Sequence, residues 1–195
     1  MKLALFDFDG TISHKDSMID FIQFAVGKRR YFSGLVKQSP MLLSYLLKRT
    51  SNSEAKQSML AHYFSGWPAQ HFSKTAKLYA EQSLPNIIRT KALDRILWHQ
   101  TQGHRVIIVS ASIENWLKPW CDYLNIELIA SHLAISNDSV TGRLQGLNCH
   151  GPEKVRRVEE YLKLTDYQYI YAYGDSSGDK QLLTLADEPH YKAFH

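Results

Sequence analysis

Leu3-Ala4-Leu5-Phe6-Asp7-Phe8-Asp9-Gly10-Thr11 is an apolar run that stops abruptly in two carboxylates, a glycine and a threonine. Apolar residues bounded by turn chemistry read as a strand buried on both faces of a parallel sheet. The acids then emerge at the strand's carboxyl end, the edge at which open α/β sheets bind ligands. Two aspartates at alternate positions point different ways within a strand, but once the chain leaves the sheet at Gly10 they can converge on one cation. Gly10 also lets backbone N–H groups approach an anion closely. Taken alone, D-x-D-G is better read as a strand followed by an Asp/Gly turn; its partners downstream decide the matter.

Beyond Thr11 the chain turns polar, and Asp16 or Ser17 is placed to cap a helix beginning near Met18. From there to about Thr90 only helical patterns occur: Met18 to Val26, Phe32 to Leu47, Ser53 to Phe64 and Ala69 to Gln82, broken by Gly27, Pro40, Gly66-Trp67-Pro68 and Pro85. This stretch is expected to form a small bundle over the first strand's exit, its apolar positions mostly building the bundle's own core. Between Lys28-Arg29-Arg30 and Lys48-Arg49, the segment Tyr31 to Leu47 is rich in large apolar residues. Such a basic-apolar helix suits an anionic membrane surface. Packing inside the insert is the preferred expectation, because Lys37 and Pro40 interrupt the run.

Alternation of sheet and helix then resumes. A helix over Lys91 to Gln102 leads to a strand Val106 to Val109 that finishes at Ser110-Ala111-Ser112. A helix over Glu114 to Leu124 leads to a short strand Glu127 to Ala130, and Leu133 to Leu147 reads as an antiparallel edge hairpin turning at Asn137-Asp138. Pro152 suits the first turn of a helix reaching Leu162. A strand Tyr167 to Tyr173 runs into Gly174-Asp175-Ser176-Ser177-Gly178-Asp179, and a last helix covers Lys180 to Ala186. The fold class is therefore α/β: a Rossmann-like parallel sheet with right-handed crossovers and a helical insert after the first strand. All the chemistry-bearing strand ends fall on one edge: Asp7, Asp9 and Thr11; Ser110 and Ser112; Asp175 and Asp179, with Lys154 at a helix start.

Together these four motifs resemble those of the haloacid dehalogenase-like (HAD) phosphohydrolase superfamily, and an insert directly after the first motif is similar to its C1-capped subfamily IB, which includes phosphoserine phosphatases. The resemblance covers the whole chain, with 1–13 and 90–195 as core and 14–89 as cap. It implies a magnesium-dependent phosphatase. Asp7 would be the nucleophile that forms an aspartyl-phosphate, and Asp9 would protonate the leaving oxygen and then activate water. Mg2+ would be held by Asp7, the Asp9 backbone carbonyl and Asp175. Asp179 would act near the metal or fix Lys154. Ser110 and Lys154 would hold the phosphoryl oxygens, assisted by backbone N–H groups near Gly10 and Ala111. Thr11 either ties down the turn or touches substrate. Ser112 is read as a helix cap in preference to a phosphate contact. Asp16 stands where phosphoserine phosphatases recognise the substrate amine, and capping serves it equally well.

Two departures bear on substrate. Phosphoserine phosphatases carry serine followed by two glycines where this chain has Ser110-Ala111-Ser112, and asparagine where it has Gly178. Asn148-Cys149-His150-Gly151-Pro152-Glu153-Lys154-Val155 resembles a related subfamily, some of whose members dephosphorylate phosphatidylglycerophosphate. The expected partner is thus a small phosphate monoester of the phosphoserine kind, with a lipid phosphate and peripheral membrane contact as the alternative. A receiver-type signalling module also combines acids, a hydroxyl residue, a lysine and magnesium, but receivers place the phosphorylated aspartate on a later strand and lack a large insert. A catalytically idle scaffold is disfavoured because all four motifs are complete.

Composition agrees. A chain of 195 residues with 44% hydrophobic and 22% charged residues suits a globular protein with one core and a smaller insert. The net charge of +4 is mild, and neither zinc-finger spacing nor an RNP signature supports nucleic acid. Cys121 and Cys149 lack C-x-x-C spacing and are expected as buried thiols; the nine histidines show no metal spacing. With no signal-peptide pattern and no apolar run long enough for a bilayer, a cytoplasmic location is the default expectation. Oligomeric state has no signature in the sequence.

Overall fold

The computed structural model describes residues 1–195. Its centre is β1 (Lys2–Phe6), whose four residues Leu3 to Phe6 are fully buried. Successive side chains of a strand point to opposite faces. Accordingly, Ala4 and Phe6 enter a large cluster of 33 buried residues, whereas Leu3 and Leu5 enter a second cluster of 11. A strand wanted by two cores must be apolar throughout, which is why its sequence shows no alternation.

β1 pairs in parallel with β2 (Arg105–Ile113) on one side and β5 (Tyr169–Gly174) on the other. β3 (Glu127–Ser136), β4 (Ser139–Gln145) and β6 (Glu188–Tyr191) complete a six-stranded sheet in the order β4-β3-β2-β1-β5-β6. Only β3–β4 is antiparallel. The α/β class and parallel sheet stand as expected, with three differences. β2 does not stop at Val109 but continues through Ser110-Ala111-Ser112, so these residues belong to the strand. β3 joins the short strand and the first arm of the hairpin into one element: its first half pairs with β2, its second with β4. The hairpin turn falls on Asn137 and Asp138 as expected, both at positive φ (+47° and +54°), the combination that suits a tight turn between twisted strands. Finally, β6 follows a shorter last helix. Its sequence Glu188-Pro189-His190-Tyr191 has no apolar run, and a proline is tolerated there because the strand lies at the sheet's edge.

The helices are α1 (Ser17–Val26), α2 (Lys28–Leu46), α3 (Asn52–Phe64), α4 (Ala69–Gln82), α5 (Thr90–Thr101), α6 (Glu114–Tyr123), α7 (Pro152–Tyr161) and α8 (Lys180–Leu183). Pro40 does not break α2, contrary to expectation. Proline removes the N–H that would bond the carbonyl of Val36; the Ser39 hydroxyl donates to that carbonyl instead, at 2.8 Å.

The helical insert, α1 to α4, does not build a core of its own. Phe21 of α1 sits among Phe64, Phe72 and Tyr79 of the insert and Trp116 of α6, with ring centroids 4.7–5.5 Å away. The same buried cluster takes in Val140 and Leu144 of β4. Backbone bonds sew the layers together: Gly66 N–H donates to Val140 C=O, Val140 N–H to Trp67 C=O, and Ala69 N–H to Asp138 C=O. At Gly142 (φ +76°) a Cβ would lie 2.2 Å from the Ala61 backbone, so only glycine lets β4 lie against α3. The insert is thus one face of a shared core, and the edge it covers carries the acids. No helix is long and apolar enough to cross a membrane.

Candidate active site

Asp7 follows β1 directly, and its N–H continues the ladder by donating to Tyr173 C=O at 2.9 Å. Its carboxylate is buried and doubly held: Lys154 Nζ donates to Oδ1 at 2.5 Å and Thr11 Oγ1 to Oδ2 at 3.1 Å. Lys154 stands in the first turn of α7, is 1% exposed and donates also to Asp179 Oδ1 at 2.7 Å. A buried ammonium between two carboxylates has strong electrostatic support, which overcomes its desolvation and keeps it charged. Burial raises Asp7 to about 7 against the opposing pull of Lys154.

Asp175 leaves the end of β5 alongside. Thr11 Oγ1 also lies 3.4 Å from Asp175 Oδ1, so Thr11 bridges two acids and serves to tie down the turn. Gly10 (φ +87°) packs so closely that a Cβ would stand 2.3 Å from Asp175 Oδ2. Burial, and then the charge of Asp179, raise the carboxyl of Asp175. Asp179 accepts from the N–H and hydroxyl of Ser176 through Oδ2 (3.0 and 2.7 Å) while Oδ1 holds Lys154. With both oxygens engaged, Asp179 fixes Lys154 and the loop after β5. One carboxylate oxygen from each of Asp7, Asp175 and Asp179 lies within 4.8 Å of the others. A site offering oxygen donors alone fits Mg2+.

Asp9 is turned away from that group. Its Oδ1 accepts from Ser17 N–H at 2.7 Å and its Oδ2 from Ser112 Oγ at 2.5 Å. The three acids whose oxygens gather within 4.8 Å of one another do not include it. Burial and the nearby Asp16 raise Asp9 to about 6, and the bonds from Ser112 and Ser17 restrain the rise. Ser112 is therefore no helix cap: the residue preceding α6 is Ile113, with no side-chain cap bond. β2 runs one residue too far for the cap geometry and delivers Ser112 to Asp9. Ser112 Oγ also lies 2.8 Å from Ser17 Oγ.

A cavity of about 620 Å³ opens over Asp7, Asp9, Lys154 and Asp179. Ala111 and Ser112 line it; Ser110 does not, being fully buried with its Oγ accepting from Ser112 N–H at 3.0 Å. Asp16 both lines the cavity and caps α1, accepting from Ile19 N–H at 3.0 Å. Nothing in the sequence pointed to Lys56. Rising from α3, its Nζ donates to Ala111 C=O at 2.7 Å and Asn148 Oδ1 at 3.1 Å, joining the helical insert to the second motif. Burial holds its pKa below the usual ammonium range. Its partners lie 55 and 92 residues away, beyond any local pattern. The two cysteines are free and buried.

The match to the family model for haloacid dehalogenase-like hydrolases spans residues 4–184, nearly the whole chain, the three strand-end motifs and Lys154 included. The protein belongs to this family. Protein CicA of Caulobacter vibrioides is 32% identical over 194 residues, covering 98% of this chain and 86% of CicA. A crystal structure of a protein of unknown function from Bordetella pertussis superposes with a TM-score of 0.81 at 23% identity, covering 96% of this chain and 88% of that one. That of a probable phosphoserine phosphatase from Vibrio cholerae gives 0.72 at 14% identity, covering 97% and 55%. The structures establish the fold, and the family match marks the chain as a haloacid dehalogenase-like hydrolase.

Proposed function

We propose that this HAD protein hydrolyses a phosphate monoester through a phosphoenzyme on Asp7, with Mg2+ as cofactor. The observation that carries the reading is the buried line Asp7–Lys154–Asp179, with Asp175 close enough for its oxygen to join those of Asp7 and Asp179. Phosphate esters are anionic and resist attack, so charge must be neutralised and the nucleophile aligned before reaction. Lys154 supplies one fixed positive charge. Asp7, the Asp9 carbonyl and Asp175 would hold magnesium, which when bound draws Asp7 toward its carboxylate form and screens the phosphoryl oxygens.

An Asp7 oxygen attacks phosphorus as the P–O bond to the leaving group breaks. Asp9 gives its proton to the departing oxygen; a pKa of about 6 leaves part of it neutral and ready to do so. Asp9, now a carboxylate, takes a proton from a water that attacks phosphorus, the bond to Asp7 breaks and inorganic phosphate departs. The bonds from Ser112 and Ser17 hold the Asp9 carboxyl in one orientation for both steps.

For substrate, a small amino-acid phosphate of the phosphoserine kind is the first reading: Asp16 can receive an ammonium, and Lys56 has one of its three donors left for a carboxylate. A lipid phosphate is the second, favoured by the apolar wall of Met18, Ile19, Tyr31, Leu35, Leu42 and Met59. Asp7→Asn is expected to abolish turnover of a generic phosphate ester without lowering the melting temperature appreciably; normal turnover in that variant overturns the assignment. A panel of phosphoserine, sugar phosphates, nucleotides and phosphatidylglycerophosphate, with and without magnesium, separates the two substrate readings.

A further inference from the structure

Helix α2 presents two different faces. One faces inward: Tyr31 and Gly34 are buried, and Tyr31, Leu35, Leu42 and Tyr45 line the catalytic cavity. The other was expected to pack within the insert and does not. Phe32, Val36, Leu43 and Leu47 are 59%, 75%, 57% and 57% exposed, and Leu46 is 74% exposed. Positions 32, 36, 43 and 47 recur at helical spacing and so form a single outward stripe, with the exposed Pro40 between them. Isolated exposed apolar residues are ordinary; five on one helix and its exit are not.

The charge around this stripe is one-signed. Lys28, Arg29, Arg30, Lys37, Lys48 and Arg49 are all exposed, and no aspartate or glutamate occurs between Asp20 and Glu54. An acidic or neutral protein partner would meet the stripe equally well by shape, but six unopposed cations around apolar side chains match an anionic bilayer surface, into which a helix sinks its apolar face while its cations meet the headgroups. A second copy of the chain would have to set its own six cations against these six.

We propose that the outer face of α2 docks this phosphatase onto an anionic lipid bilayer, so that the same helix that rests on the membrane forms a wall of the catalytic cavity. This deepens the lipid-phosphate reading of the site, because a phosphate on a lipid would enter past Leu35, Leu42 and Tyr45 without leaving the interface. Docking is a property of the surface and is measured apart from turnover.

The test is co-sedimentation of the full chain with vesicles of phosphatidylcholine alone or mixed with phosphatidylglycerol, turnover of a soluble phosphate ester being recorded on the same samples. Wild-type protein is expected to bind the mixed vesicles, to be released by salt and to ignore phosphatidylcholine. Arg29→Gln with Arg30→Gln is expected to weaken partition roughly 30-fold, two charges at about 1 kcal/mol each. Phe32→Ser with Val36→Ser and Leu43→Ser is expected to abolish binding while the soluble ester is still turned over. Asp7→Asn is expected to bind as wild type does, which keeps docking distinct from the catalytic assignment. The proposal is overturned if wild-type protein ignores anionic vesicles, if both α2 variants bind unchanged, or if sedimentation shows a dimer that the stripe variant dissolves.

Discussion

Ser112 donates its hydroxyl to Asp9 across 103 residues of chain, at 2.5 Å from Oδ2, and stands in a strand rather than at a helix cap. A hydrogen bond to the charged form of an acid lowers its pKa. Ser112→Ala is therefore expected to raise Asp9 above its value of about 6. The acid form then survives to higher pH, so the alkaline limb of log kcat/KM moves upward in pH. Losing one charge-assisted bond of about 1.5–3 kcal/mol from the positioned carboxyl should lower kcat by roughly 10- to 100-fold. An unchanged pH–rate profile would show that Ser112 does not act through Asp9.

Lys154 is held between Asp7 and Asp179 with almost no contact with solvent. Lys154→Met leaves two buried carboxylates facing each other without a counter-charge. The expected loss is about 3–5 kcal/mol at neutral pH, read by denaturant unfolding. Because the stranded acids can relieve the penalty by taking up protons, the loss should shrink as the pH is lowered. A loss independent of pH would point to packing and not to the ion pair.

Gly10 owes its identity to Asp175. Gly10→Ala imposes a side chain at φ +87° and puts Cβ at 2.3 Å from the Asp175 carboxylate, so the acid must move. Stability is expected to fall by about 1–2 kcal/mol. The sharper readout is magnesium titration of activity, where a displaced Asp175 should raise the concentration needed for half-activation. Unchanged magnesium dependence would remove Asp175 from the proposed set of ligands.

A separate pH effect lies on the far side of the large core. His99 is fully buried, with Nδ1 at 2.8 Å from His104 Nδ1 and Nε2 at 2.9 Å from the Tyr173 hydroxyl. Burial first, then the neighbouring His104, Arg95 and His190, lower it to about 3. Its pKa when unfolded is near 6.5, so the unfolded chain binds the proton more readily. The stability this neutral ring contributes is present above pH 6.5 and drains away as the pH falls from there toward 3. His99→Asn is expected to flatten that decline by about 1 kcal/mol per pH unit within the window. Parallel pH–stability curves for the two proteins would refute it.

What the sequence made legible follows from where each signal sits. Asp7, Asp9, Lys154, Asp175 and Asp179 were readable because each lies at the end of an apolar run or the start of a helix, and a parallel sheet gathers those ends at one edge. Ser112 was misread because nothing local tells whether β2 stops at Val109 or continues to Ile113. The continuation depends on pairing with β3, where the register shifts between Ser110 and Ile113. Lys56 carried no signal at all, since its function is to reach from the insert to Ala111 and Asn148. The shared core of insert and sheet was equally hidden: Phe21 has the same helical spacing whether it meets another insert helix or Trp116. The outer stripe of α2 was legible as composition; whether it faced inward or outward was not.

The account stands on Asp7 becoming covalently phosphorylated during turnover. Acid quenching during steady-state turnover of a radiolabelled phosphate ester, followed by peptide mapping, measures this directly. The account predicts acid-stable, base-labile label on the peptide containing Asp7, absent from Asp7→Asn and chased away by unlabelled substrate. Label on another residue, or turnover at full rate with none on Asp7, would contradict it.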